Sequence, residues 1–197
     1  MKCSLLCLFA ALTIHSLFAV GCSDEMESKN DLSTPSPGPD MSIKACTMTA
    51  AWPSDDILID GRVADSQTFD WVTAGYAFQT TGTRVDALIV EIWHSPTTPA
   101  NPRTVSLPSD GNYTTCAVCV LLAENYSLDS FPKYFARGGM VTITKADTTP
   151  GAGMYQVSGS NIQFVEWDIH QDMPVPGGDC YEVGSFSIAG SYSNADM

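Results

Sequence analysis

Arg84-Val85-Asp86-Ala87-Leu88-Ile89-Val90-Glu91-Ile92-Trp93 reads as a β-strand and as little else. β-Branched and large apolar residues dominate it, and it holds no glycine or proline. In an extended chain, Leu88, Val90 and Ile92 share one face and Ala87, Ile89, Glu91 and Trp93 the other. Apolar residues on both faces place this strand in the middle of a sheet, covered from both sides.

The neighbouring segments repeat the pattern. Residues 116–122, 140–144, 162–169 and 181–188 are further β-prone runs, and Ile57-Leu58-Ile59 precedes an Asp60-Gly61 pair read as a turn. Turn clusters separate the runs: Thr81-Gly82, Ser95-Pro96, Pro108-Ser109-Asp110-Gly111, Arg137-Gly138-Gly139, Pro150-Gly151 and Pro176-Gly177-Gly178. No long stretch carries a helical stripe. We therefore expect an all-β domain, a β-sandwich of about eight to ten strands with jelly-roll or immunoglobulin-like topology.

Of the 197 residues 44% are hydrophobic and only 16% charged, which excludes a disordered chain. The formal charge of -13 leaves no basic face to neutralise phosphate, so nucleic acid is excluded as a partner. The acidic surface also repels anionic headgroups.

The N-terminal part reads as an address. Met1-Lys2 is followed by an apolar run to Val20, which at about 16 residues is short of the roughly 20 that a membrane span needs. Ala19-Val20-Gly21-Cys22 then resembles the lipobox of bacterial lipoproteins. Residues 1–21 are expected to be a signal peptide and Cys22 the lipidated N-terminus. Ser23 after the cysteine resembles the outer-membrane sorting pattern, so the expected location is the outer membrane or cell surface. Residues 22–45, with Ser33-Thr34-Pro35-Ser36-Pro37-Gly38-Pro39, read as a tether, and residues 46–197 as the folded domain.

Cys46, Cys116, Cys119 and Cys180 remain, an even number in an exported chain, and two disulfides are the default. A zinc site usually takes two close pairs and only 116/119 is close; a redox Cys-x-x-Cys usually opens a helix. If 116–122 is extended throughout, Cys116 and Cys119 stand about 10 Å apart on opposite faces and cannot join. That geometry favours Cys116–Cys180 near the core and Cys46–Cys119 at the start of the domain.

Asn112-Tyr113-Thr114-Thr115-Cys116-Ala117-Val118-Cys119-Val120-Leu121-Leu122 resembles a block in uncharacterised cysteine-containing lipoproteins of myxobacteria and related bacteria. The later Phe164-Val165-Glu166 and Pro174-Val175-Pro176-Gly177-Gly178-Asp179-Cys180 do so too, in the same order. The resemblance covers roughly residues 85–190. It implies a secreted, cysteine-stapled β domain and carries over no activity.

No catalytic constellation stands out. There is no His-Glu-x-x-His, Gly-x-Ser-x-Gly or Walker loop, and His94 and His170 are the only histidines after Cys22. Neither a metal site nor a cofactor is expected, with calcium the one ion for which Asp55, Asp56 and Asp60, or Asp168 and Asp172, offer oxygen ligands. Trp93 and Trp167, each beside polar residues, are candidate stacking platforms for carbohydrate. The expected function is a lipid-anchored, non-catalytic binding or structural module that meets an envelope protein or polysaccharide. A carbohydrate-binding surface domain is the first alternative. An envelope hydrolase with a carboxylate pair drawn from Glu91, Glu124, Glu166 and Glu182 is the second.

Overall fold

The computed structural model describes residues 45–63, 71–127, 132–147 and 152–193, all within one compact unit, Met41–Met197. The signal peptide, the lipid site Cys22 and the tether lie outside the described residues except for Ala45. The all-β expectation holds: among the described residues there is no helix, and eleven strands form one curled sheet.

The strands are β1 (Thr47–Thr49), β2 (Asp56–Val63), β3 (Trp71–Thr81), β4 (Arg84–His94), β5 (Arg103–Ser106), β6 (Val118–Ala123), β7 (Tyr134–Ala136), β8 (Met140–Ala146), β9 (Ala152–Asp168), β10 (Met173–Pro174) and β11 (Cys180–Ser193). The count exceeds ten because β1, β7 and β10 are fragments of two or three residues. The main path runs β1-β11-β9-β7-β6-β4-β3-β2, with β8 and then β5 branching from β9. Every pairing is antiparallel except that of β1 with β11.

The long β9–β11 hairpin makes the sheet curl. Along β9 up to Phe164 the buried residues are Tyr155, Val157 and Gly159, then Ile162 and Phe164, a slip of one residue in the two-residue period. Asn161 sits at the slip with φ of 52°. Its position opposite β11 is Gly184, and there the buried set changes phase too, from Val183 to Phe186 and Ile188. A Cβ on Gly184 would stand 2.4 Å from the Ala50 carbonyl, so only glycine fits. Residues 155–160 pair with β8, whereas 164–166 pair with β7. One hairpin thus belongs to both walls of the curl.

Between the walls lies the main core. Leu88, Val90 and Ile92 of β4 and Val120 and Leu122 of β6 face Val141, Ile143, Tyr155, Val157 and Ile188. Tyr155 is fully buried, and its hydroxyl donates to the Val90 carbonyl at 2.8 Å, joining β9 to the opposite wall. The second face of β4 is covered as well: Ala87 and Ile89 pack with Leu121, Phe135 and Trp167. The two-sided burial read from residues 84–93 is therefore observed.

Two readings need correction. Asp60-Gly61 is not a turn but the middle of β2, paired with Ala74 and Thr73. Gly61 is required by space, because a Cβ there would stand 2.8 Å from the rings of both Trp71 and Tyr192. The disulfides are Cys46–Cys180 and Cys116–Cys119, not the crossed pairing. Strand β6 begins only at Val118, so Cys116 lies in the preceding turn and its Cα is 5.6 Å from that of Cys119. That turn is held by Asn112, whose Oδ1 accepts from the Thr115 amide at 3.0 Å. Asp172 holds it too, accepting from the amides of Tyr113 at 2.9 Å and Thr114 at 3.1 Å.

His94 ends β4 inside the core, 2% exposed, with Nε2 3.0 Å from Thr73 Oγ1 and Nδ1 without a partner. Burial, aided by the charge of Arg103, pushes its pKa down to about 4. A histidine depressed in the folded state is neutral there while its unfolded counterpart takes a proton. Stability from this group is therefore complete above about pH 6.5 and falls until about pH 4. Between pH 7 and pH 5 we expect a loss of about 2 kcal/mol from His94. Urea unfolding at the two pH values checks it, with His94→Gln losing that much less than the wild type.

Candidate functional site

The outer face of β2, β3 and β4 does not look like an ordinary solvated sheet. Cross-strand register sets Asp60, Ala74, Glu91 and Cys119 in one row, with Leu58, Tyr76, Ile89 and Leu121 in the next. Tyr76 and Phe78 stack with centroids 6.1 Å apart, and the Tyr126 ring tilts against both at 6.0 and 5.4 Å. These three rings, Trp93 and Tyr113 are all half-buried. Leu58 beside them is 48% exposed.

Glu91 is the polar centre of this face and only 5% exposed. Its Oε2 accepts from the Tyr113 hydroxyl at 3.1 Å and from Trp93 Nε1 at 3.3 Å, and its Oε1 meets Arg62 at 3.5 Å. Burial pushes the Glu91 carboxyl up, and Arg62, Tyr113 and Trp93 pull it only part of the way back. Burial pulls Arg62 down, but Tyr76 and Glu91 raise it above its ordinary value. Tyr113 is pushed well up by burial and then by Glu91, so it donates to the carboxylate at neutral pH. The result is a neutral-to-anionic polar spot ringed by aromatic side chains. Arg62 is half exposed and Asp60 stands 3.4 Å from it.

A cleft of about 700 Å³ opens at one end, between residues 95–108 and 111–118. Val105, Leu107, Cys116 and Phe135 form its apolar part, and Thr98 and Arg103 stand at the polar side. Arg103 donates to the Pro99 carbonyl at 2.5 Å and to Asn101 Oδ1 at 2.8 Å.

The remaining sequence candidates divide as follows. Trp93 belongs to the aromatic face. Trp167 does not: it is 6% exposed, packs on Phe135 at 4.9 Å and donates to Asp172 Oδ1 at 3.2 Å, so no ring face is open for stacking. The calcium candidates do not converge, and among the described residues no group of three His, Cys, Asp or Glu could hold a metal. Asp55 caps the Thr80 amide at 2.6 Å, Asp168 accepts from the His170 and Gln171 amides, and Asp172 holds the 113–114 backbone.

Glu124 and Glu166 do come together, at 3.5 and 3.8 Å from Lys133 Nζ, hence no more than about 7.3 Å from each other. A glycosidase pair falls within that bound. The lysine ammonium, however, lies where a glycosidic oxygen would have to enter. Both carboxylates also hold structure, Glu124 accepting from Arg84 and Tyr181, and Glu166 from the Asp179 amide. Glu91 stands apart in the aromatic face, and Glu182 borders a separate shallow groove with Met48 and Gln163.

The Tyr76–Phe78–Tyr126 cluster and Arg62 were not anticipated. The signal was present: Ala74, Tyr76 and Phe78 alternate along residues 71–81, on the same face as Glu91 by register. No protein-family model, curated protein or solved structure matches this chain.

Proposed function

We propose that the protein is a lipid-anchored binding module of the cell envelope, that its ligand face is the outer surface of β2–β4, and that the ligand is a neutral saccharide. One observation carries the choice of face: half-buried Tyr76, Phe78, Trp93, Tyr113 and Tyr126 surround the Arg62–Glu91 pair on an open sheet. An outward sheet face is normally polar, and partly exposed aromatic surface with a polar centre marks a binding surface. A pyranose presents an apolar C–H face and a rim of hydroxyls. Aromatic rings take the first, and a carboxylate with a guanidinium takes the second. Neutral polymers are favoured because the acidic chain repels polyanions.

The anchor is Cys22, and residues 22–45 are the tether that holds the domain off the membrane. We place the protein with the myxobacterial lipoproteins it resembles, at the outer membrane or cell surface. The binding reading assigns no catalytic residue on this face. The test is affinity electrophoresis of the detergent-solubilised chain through soluble neutral glucan, mannan and xylan. At least one polymer is expected to retard it, with retardation unchanged by 0.5 M salt, a concentration that shortens the Debye length to about 4 Å. Free migration through all three, or retardation abolished by salt, contradicts the reading.

A further inference from the structure

We infer that Cys116 and Cys119 are an exchangeable dithiol–disulfide pair, which oxidises paired thiols of an exported polypeptide bound in the adjoining cleft. This lies beyond the saccharide reading and does not depend on it.

Three features of the pair separate it from the other bridge. Its sulfurs are three residues apart, whereas Cys46 and Cys180 are 134 apart. A bridge across so small a ring removes less than half the chain entropy that the long one does, so stapling explains it less well. The two sulfurs are unequal in access. Cys116 is half-buried and lines the 700 Å³ cleft, while Cys119 is fully buried under the outer face. An incoming thiolate can reach only Cys116, which fixes the attacked sulfur and makes Cys119 the leaving group. The cleft itself offers apolar wall and hydroxyl side chains, the lining an extended peptide needs.

The exchange balances as follows. A substrate thiolate attacks Cys116 Sγ, a mixed disulfide forms, and the Cys116–Cys119 bond breaks with its electron pair on Cys119 Sγ. The second substrate thiol loses its proton and attacks the substrate sulfur of the mixed disulfide, and Cys116 leaves as a thiolate that water protonates. The substrate dithiol becomes a disulfide, and this pair takes up the two electrons and two protons.

Cys119 needs a proton once it leaves. Glu91 is its cross-strand partner on β4, on the same face, where facing side chains have Cβ atoms about 5 Å apart. Glu91 is also faced by Arg62 and Asp60 from β2, Tyr76 from β3, Trp93 from its own strand and Tyr113 from the turn, with Tyr155 beneath. Its oxygens already accept from Tyr113, Trp93 and Arg62, so it lies beside the departing sulfur as a carboxylate and Cys119 takes its proton from water as the bridge opens.

The experiment uses the full-length wild-type protein, equilibrated with graded mixtures of reduced and oxidised glutathione, quenched by alkylation and mapped by mass spectrometry. Cys116 and Cys119 are expected to be alkylated across ratios at which Cys46 and Cys180 stay joined. A reduced synthetic peptide with two cysteines is expected to emerge oxidised, one equivalent per protein. Offered the same peptide in its disulfide form, Cys119→Ala should form a mixed disulfide through Cys116, one peptide sulfur leaving as a thiolate, and Cys116→Ala should form one through Cys119 at least 100-fold more slowly. The wild-type exchange rate should rise with pH as the attacking substrate thiol ionises. Opening of both bridges together, opening of Cys46–Cys180 first, or capture of the peptide at Cys119 overturns the proposal, and the glutathione equilibrium decides even if a variant fails to fold.

Discussion

Cys180→Ser is expected to lower the unfolding free energy by up to about 5 kcal/mol, the loop-closure value for a bridge across 134 residues. The bond ties residue 46, just before β1, to the first residue of β11 and so joins the start of the domain to its last long strand. Without it, that edge rests on the parallel β1–β11 pairing of three residue pairs and on Trp52, which bonds to the Ser185 and Ala77 carbonyls. A domain's whole stability is about 5–15 kcal/mol, so the variant should be close to unfolded at 37 °C. The Cys116–Cys119 bridge closes a far smaller ring, and removing it is expected to lower stability by about 2 kcal/mol. Urea midpoints of the two variants check the order, which the crossed pairing would not produce, since its two loops would be of comparable length.

Tyr155→Ala is expected to destabilise by about 3–5 kcal/mol, the range for deleting a large buried aromatic side chain. The ring is fully buried, and it packs against the wall formed by β3 and β4, where a Cβ on Gly75 would meet it at 2.5 Å. Tyr155→Phe keeps the ring and removes only the hydroxyl, with its 2.8 Å bond to the Val90 carbonyl and its contact with the Gly75 backbone. That variant is expected to lose about 1 kcal/mol. The difference between the two separates the ring's packing from its hydrogen bond. If Tyr155→Ala unfolds at the wild-type urea concentration, β9 does not face β4 across the core.

The sheet was legible where local chemistry and burial agree. Residues 84–93 carry apolar side chains on both faces, and both faces are covered. Asp60-Gly61 misled because glycine after aspartate signals a turn, while here Gly61 answers to the Trp71 and Tyr192 rings, which are distant in sequence. The disulfide assignment failed at the start of one strand. Val118, not Cys116, begins β6, and the chain is bent there by Asn112 together with Asp172, more than fifty residues away. The local part of that capping, Asn112 accepting from the Thr115 amide, was legible in residues 112–115, but the part from Asp172 was not.

The candidate site was legible only in part. Trp93 was anticipated because an aromatic residue next to polar ones on a strand suggests a platform. Trp167 has the same local signature, and the turn carrying Asp172 buries it. Arg62 could not be joined to Glu91 from sequence, since their meeting depends on the order β2-β3-β4, not on spacing along the chain.

The measurement that bears most directly on the proposed function is a calorimetric titration of the neutral polymer that retards the chain. It would be run on the wild type and on Trp93→Ala, which removes one ring from the face and leaves the core between the walls intact. The account predicts saturable heat for the wild type and affinity reduced at least about 10-fold in the variant, a change of about 1.4 kcal/mol. Equal affinity in the two proteins, or no heat in either, would contradict it.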